Sequence, residues 1–178
     1  TYSGIDSVGP VSVETRSGDL TVARSVVTTH ASTNASQPAI RLSAGSASAA
    51  GTTTGGDLVL SGSPELLMGA GGLAVFYTGG ATSSAGIALT NLLSSKATSN
   101  SEYGRTTSNA PTAASGYNAM FRESPTIVYL RSVSGQGHTY GTAPSALSYC
   151  YSSSASACSA VSYAGIPNTI QTFSLANN

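Results

Sequence analysis

Two aspartates lie in a repeated motif that could supply paired carboxylates to a glycan-cleaving site. The tripeptide Gly-Asp-Leu occurs at residues 18–20 and again at 56–58, and it contains Asp19 and Asp57. If a repetitive β structure used about 19 residues per winding, the two carboxylates would lie two windings or about 9.6 Å apart, just outside the usual range of an inverting pair. Each Asp also follows a Gly at a predicted turn, where Asp commonly bonds to nearby backbone. Because the chain has no Trp to stack on a sugar ring, carbohydrate binding or degradation is the alternative interpretation, not the preferred one.

No other constellation of reactive side chains points to an enzyme. The nucleophile motif Gly-x-Ser-x-Gly is absent from the sequence. The glycine-rich segment 69–74 superficially resembles a dinucleotide-binding loop, but a strand-like segment follows it where that loop needs a helix. His30 and His138 are far from each other and from the cysteines, unlike the spacing of metal ligands. We therefore expect no catalytic residue, no cofactor and no metal site.

The two cysteines are predicted to form a local disulfide. Cys150 and Cys158 flank a loop of Tyr, Ser and Ala. Neither a Cys-x-x-Cys redox motif nor nearby histidines accompany them. In a neutral chain rich in Ser and Thr, a disulfide that staples a hairpin is the better interpretation, and it indicates an oxidising, extracellular environment.

The composition excludes several classes of partner. Ser, Ala, Thr and Gly make up more than half of the 178 residues, charged residues only 8%, and seven basic residues balance seven acidic ones. Without a basic patch, binding to nucleic acid or to an anionic membrane surface is not expected. The longest apolar stretch, residues 73–77, is far shorter than the roughly 18 residues that a membrane helix needs. The start at Thr1, without a signal segment, suggests a processed product or an excised fragment.

Short apolar runs with a period of two dominate the first half of the chain. This alternation is typical of strands with one buried face. The runs are separated by segments of Gly, Ser, Thr and Asn, and the repeated Gly-Asp-Leu favours a repetitive winding. We therefore predict a parallel β-helix, or β-solenoid, over residues 1–94, with no evident capping helix at either end and an apolar stack of Leu20, Leu42, Leu58 and Leu73. The alternating runs are Val11–Val13, Leu20–Val22, Ile40–Leu42, Leu58–Leu60, Leu73–Val75 and Ile87–Leu89.

The rest of the chain has a different pattern. Residues 95–123 are mostly polar and lose the alternation, so they are predicted to be a connector. From 124 to 178, strand-like segments rich in Tyr alternate with Gly and Pro, which indicates a small antiparallel β domain. The predicted fold class is thus all-β, with the solenoid followed by this domain.

Three stretches resemble secreted bacterial surface proteins of the filamentous-haemagglutinin type. The segment Gly71-Gly-Leu-Ala-Val-Phe-Tyr-Thr-Gly79 is similar to the one that closes the glycine-rich β-helix of that family. Residues 117–126 resemble the Arg-Glu-x-Pro-Thr junction just downstream of it, and residues 138–149 resemble the opening of the MBG-type β modules that follow. The resemblance implies a right-handed parallel β-helix shaft, export through the outer membrane, a surface-adhesion role and no enzymatic activity.

The expected function is mechanical. We interpret the chain as a structural module of an extracellular or cell-surface bacterial filament or adhesin that polymerises with itself, with host or matrix glycans as further candidate partners. Uncapped ends would leave strand edges free to pair, so a segment near either terminus could add to the next subunit as a strand. The alternatives are a carbohydrate-binding or carbohydrate-degrading protein and a passive spacer. The candidate assembly residues are Thr1, Val11, Val13, Ile170, Phe173 and Leu175.

Overall fold

A computed structural model of the protein describes residues 4–124, 129–132, 149–152 and 159–160. Contacts divide the chain into two units, Thr1–Pro125 and Thr126–Asn178. In its described part, the first unit combines parallel sheets with one helix. The second contains short antiparallel strands.

Short strands form wherever the first unit alternates apolar and polar residues, and turns rich in Gly and Ser end them. Gly18, for example, has φ of +78° in the turn before the third strand, a conformation that glycine adopts without a steric penalty. The strands of this unit are β1 (Ile5–Ser7), β2 (Val11–Glu14), β3 (Leu20–Val22), β4 (Val26–Thr28), β5 (Ile40–Ser43), β6 (Leu58–Leu60), β7 (Leu66–Leu67), β8 (Leu73–Thr78), β9 (Ser99–Tyr103) and β10 (Gly116–Phe121).

The strands pair into three parallel sheets, with the orders β1-β4-β7, β2-β5-β8-β10-β9 and β3-β6. The chain enters the three sheets in turn, first through β1, β2 and β3 and then through β4, β5 and β6. From β1 to β8, strands that are neighbours in sequence therefore lie in different sheets, and strands that are neighbours in a sheet are distant in sequence. β9 and β10, by contrast, pair with each other in the five-stranded sheet. The first three strands thus become the edges at one end of this stack of sheets.

The five-stranded sheet separates two apolar clusters. On its inner face, Leu42 and Phe76 pack with Leu58 of β6 in the larger core, and Leu20 contacts this core from a partly buried position. On its outer face, Leu73 belongs to a smaller cluster with Val75, Tyr77 and Met120. The expected stack of four leucines is therefore divided, because alternate residues of a strand point to opposite faces.

One α-helix, α1 (Ser84–Ser94), follows β8. The Ser83 side chain caps its first turn by accepting a hydrogen bond from the Gly86 N–H at 3.1 Å. Gly86, Leu89 and Leu93 lie on its buried face, at the spacing of three and four residues that places side chains on one side of a helix. The helix packs mainly against β6, with further contacts to β9 and β10.

The predicted fold class is wrong, because the first unit is a mixed arrangement of parallel sheets and a helix and not an all-β parallel β-helix. The run Ile87–Leu89 was interpreted as an alternating strand, but it lies within α1. Leu89 is fully buried, whereas Ile87 is 51% exposed. Two residues that a strand would place on one face thus point to opposite sides of a helix, since each residue advances the helix by about 100°.

The segment predicted as a connector, residues 95–123, contains β9 and β10. β10 lies between β8 and β9 in the five-stranded sheet, although β9 precedes it in sequence. In the second unit, β11 (Tyr129–Ser132), β12 (Tyr149–Ser152) and β13 (Ser159–Ala160) form an antiparallel sheet in the order β11-β12-β13.

Candidate functional site

One end of the stack consists of three strand edges. β1, β2 and β3 are each the terminal strand of their sheet, and among the described residues none of them has a partner on its outer side. Such edges present N–H and C=O groups that readily accept a further strand. We call these three strands and the turns between them, residues 5–22, the open end.

The hydrogen bonds from β2 to β5 show which backbone groups of β2 are free. The Val11 N–H donates to the Ala39 carbonyl at 2.9 Å, so it points toward β5. Successive residues of a strand direct their backbone groups to opposite sides. The N–H groups of Ser12 and Glu14 therefore point away from β5, toward the position of an added strand.

An apolar pocket of about 230 Å³ lies at the open end. Val13, Leu20 and Val22 contribute to its lining, together with Ile5, which is 40% exposed. Val8, in the turn between β1 and β2, is 86% exposed. Apolar side chains and unpaired strand edges thus coincide, and a docking partner could cover both.

The opposite end, which we call the closed end, consists of α1, β7 and β9. There α1 covers β6, the terminal strand of its sheet, and buries Leu89 and Leu93 in the same core as Leu58. The expectation that neither end has a capping helix is therefore wrong for this end. The five-stranded sheet ends at β9, whose sequence is Ser-Asn-Ser-Glu-Tyr, so its edge is polar.

Asp19 and Asp57 are closer together than the sequence predicted. Leu20 pairs directly with Leu58 in adjacent parallel strands, so the repeat corresponds to one strand spacing of about 4.8 Å and not to two windings. The Asp57 N–H donates to Asp19 Oδ1 at 2.8 Å, across 38 residues of sequence. Asp57 Oδ1 in turn accepts hydrogen bonds from the Thr78 hydroxyl and from two glycine N–H groups that follow it. The two carboxylates therefore fix turns.

Sequence reasoning gave no role to Arg122, which is only 2% exposed. Its guanidinium donates to the carbonyls of Ala44 and Gly56, each at 2.5 Å, and to that of Thr54 at 3.4 Å. Burial lowers the pKa of Arg122, and the nearby charge of Asp57 opposes this shift. Arg122 thus ties the residue after β10 to the β5–β6 loop. Arg122 is the Arg of the Arg-Glu-x-Pro-Thr stretch noted in the sequence, but that resemblance gave it no contact with the β5–β6 loop.

The outer face of the five-stranded sheet is covered by residues 104–115. The Tyr77 hydroxyl donates to the Asn109 carbonyl at 2.7 Å. Glu102 accepts hydrogen bonds from the N–H and hydroxyl of Thr112, at 2.6 and 2.8 Å, and it pairs with Arg105 at 2.8 Å. Burial raises the pKa of Tyr77 above its usual 10.0. These contacts hold the covering segment on the sheet.

The structure describes only two of the candidate assembly residues. Val11 is buried and Val13 is partly buried, both on the inner face of β2. The backbone of Cys150 lies in β12. The predicted disulfide stays a prediction, since Cys158 lies outside the described residues. The candidates outside the described residues are Thr1, Cys158, Ile170, Phe173 and Leu175.

Within the described residues, no group of three or more His, Cys, Asp or Glu side chains could hold a metal ion. The same part of the chain contains no helix with the length and apolar character needed to cross a membrane. Comparison with family models, with curated proteins and with solved structures found no match to the chain.

Proposed function

We propose that this chain is a structural subunit of an extracellular bacterial filament or adhesin, and that it polymerises by adding part of a neighbouring subunit to its open end. The observation that carries the proposal is the coincidence of three strand edges with an apolar pocket at one end of the stack. A parallel strand added to β2 would bond to the free N–H groups of Ser12 and Glu14. An apolar side chain beside it would fill the pocket.

The distribution of exposed apolar side chains supports assembly through the ends. In the described part of the chain, each large apolar side chain that is well exposed lies in an edge strand, in the turn beside one, or on α1. The inner strands β4, β5, β8 and β10, and the edge strand β6 that α1 covers, carry none of them. These side chains are Ile5, Val8, Leu67, Ile87 and Tyr103.

The extracellular location is proposed from composition. A neutral chain with few charged residues, a predicted disulfide and a resemblance to filamentous-haemagglutinin proteins are together typical of a secreted surface protein. The charge balance gives no reason to propose nucleic acid as a partner.

The described contacts do not favour the alternative of glycan cleavage at Asp19 and Asp57. One oxygen of each carboxylate already accepts backbone hydrogen bonds, and their strands are adjacent. A glycosidase pair acts through carboxyl oxygens that are free to reach the sugar or a water molecule, whereas Asp19 and Asp57 use theirs to hold turns. We therefore propose a mechanical function, without catalysis.

The test is to compare Ser12→Pro with Ser12→Ala. Proline removes the outward N–H of an edge strand and places its ring where an added strand would lie, but it leaves the β2–β5 hydrogen bonds intact. The parent chain and Ser12→Ala should form linear polymers in electron micrographs and in sedimentation. Ser12→Pro should stay monomeric at the same concentration, with an unchanged unfolding midpoint. A parent chain that is strictly monomeric at high concentration, or a Ser12→Pro variant that polymerises normally, would contradict the proposal.

A further inference from the structure

We infer that the partner at the open end is the closed end of a second copy, with β9 of one subunit running parallel beside β2 of the next. This inference rests on the proposed function and specifies its interface. It makes the junction heterologous, since different surfaces of the same chain meet at every contact. Such a contact can repeat without limit and produces a filament with a direction.

Strand direction supports this pairing. The order β2-β5-β8-β10-β9 is parallel throughout, and β2 and β9 are its two edges. A copy displaced along the stack keeps the direction of its strands. Its β9 therefore arrives beside β2 in the same orientation that every pair in this sheet already has. The sheet would continue across the junction with the usual parallel hydrogen bonds.

The register of the sheet identifies the residues that meet. Ser12 pairs with Arg41, which pairs with Val75, and this row continues through Asn118 to Asn100 at the other edge. An added subunit that keeps this register would place its Asn100 beside Ser12. Both are small polar residues that can hydrogen-bond across a strand pair.

A second row places two carboxylates opposite each other, which is unfavourable unless a cation lies beside them. Glu14 and Glu102 occupy equivalent rows at the two edges. Glu102 is already paired with Arg105 at 2.8 Å, and the Arg105 side chain is 32% exposed. A guanidinium has five N–H donors, so Arg105 can also bond to Glu14 of the next subunit. The open-end carboxylate thus has a cationic partner at the closed end.

The helix α1 lies beside β9 at the closed end and can also contact the next subunit. A helix is about 10–12 Å across, or between two and three strand spacings of about 4.8 Å. Beside β6, α1 contacts both β10 and β9, so its outer side lies near the level of β9. Ile87 is 51% exposed and points away from Leu89 of the core. It can therefore supply the apolar group that fills the pocket lined by Leu20 and Val22 of the next subunit.

Disulfide trapping tests this interface. Chains with Ser12→Cys and chains with Asn100→Cys are mixed, polymerised and oxidised, and the linked peptides are identified by mass spectrometry. The matched control replaces Asn100→Cys by Ser101→Cys, because Ser101 lies on the opposite face of the same strand. The parent chain, oxidised in parallel, gives the background from Cys150 and Cys158.

We expect the 12–100 link in a large fraction of chains from the mixed polymer, and at least tenfold less of the 12–101 link. Ile87→Ser should raise the concentration needed for polymerisation several-fold without shifting the unfolding midpoint. Polymers that form without the 12–100 link would overturn this pairing and leave the proposed function intact. If the parent chain forms no polymer, both proposals fail.

Discussion

The two ends of the stack differ in whether a strand edge is covered by another element. At the closed end, α1 packs on β6 and residues 104–115 cover the outer face of the five-stranded sheet. At the open end, β1, β2 and β3 surround an apolar pocket. Covering an edge with a helix or a loop is a common way to prevent unwanted strand pairing. The chain applies it to β6, and we infer that the covered elements mainly serve stability, whereas the uncovered edges, β2 at the open end and β9 at the closed end, serve association.

The largest expected effect is that of Arg122→Met, where β10 meets the β5–β6 loop. The change leaves the buried carbonyl of Ala44 and the less buried carbonyls of Thr54 and Gly56 without this donor, and Asp57 without its nearby cation. We expect the free energy of unfolding to fall by about 3–5 kcal/mol, because a buried group left without its hydrogen-bond partner costs about 1–3 kcal/mol; chemical denaturation under conditions where the chain is monomeric measures it. Arg16→Met, at an exposed position, is the control and should cost less than about 0.5 kcal/mol. Similar losses for both variants would contradict the role assigned to Arg122.

A second comparison uses two residues of α1. Leu89 is fully buried against β6 and Ile87 lies on the exposed side. Leu89→Ala should lower the free energy of unfolding by about 2–5 kcal/mol through loss of buried contacts and a residual cavity. Ile87→Ala should change it by less than about 1 kcal/mol. Equal effects would mean that the helix does not cover the core as described.

The pH dependence of stability tests the covering segment at the closed end. Burial raises the pKa of Tyr77 in the folded state above its value of 10.0 when exposed. The folded state therefore holds the Tyr77 proton more tightly than the unfolded state does. The resulting contribution to the free energy of unfolding is complete below about pH 10 and is lost as the pH rises further. Tyr77→Phe should cost about 1 kcal/mol at pH 8 through loss of the bond to Asn109, and should make the decline above pH 10 shallower. If stability declined above pH 10 as steeply in Tyr77→Phe as in the parent chain, groups other than Tyr77 would cause that decline.

The smallest expected effect on stability belongs to the open end. Val8 is 86% exposed, so Val8→Ser should change the free energy of unfolding by less than about 0.5 kcal/mol. If the open end serves association, the same variant should raise the concentration at which polymers appear, as light scattering can measure. If Val8→Ser lost much stability and polymerised as the parent chain does, the conclusion that the open end serves association would be wrong.

The local alternation of apolar residues was sufficient to place strands. The runs at Val11–Val13, Ile40–Leu42 and Leu58–Leu60 all lie in strands. The same rule failed at Ile87–Leu89, because two apolar residues separated by one position occur in helices as well as in strands. The buried spacing of Gly86, Leu89 and Leu93 identifies the helix, but only once the surface that it covers is known.

The repeated Gly-Asp-Leu also shows that a local sequence pattern does not determine how distant segments pack. The sequence predicted two windings between its two copies, whereas Leu20 pairs directly with Leu58 in adjacent strands. The number of windings between them depended on an assumed length per winding. The turns between strands vary in length, so spacing in sequence does not determine spacing in the stack.

The sequence by itself determined the neutral, weakly charged character of the chain and the positions of most strands in its first half, because both depend on composition and on short-range alternation. Only the tertiary structure decided which strands became edges, where α1 packed, and that Arg122 would join β10 to the β5–β6 loop. These features depend on contacts between residues far apart in the chain. Their free energy comes from burial and from hydrogen bonds that no local window of sequence contains.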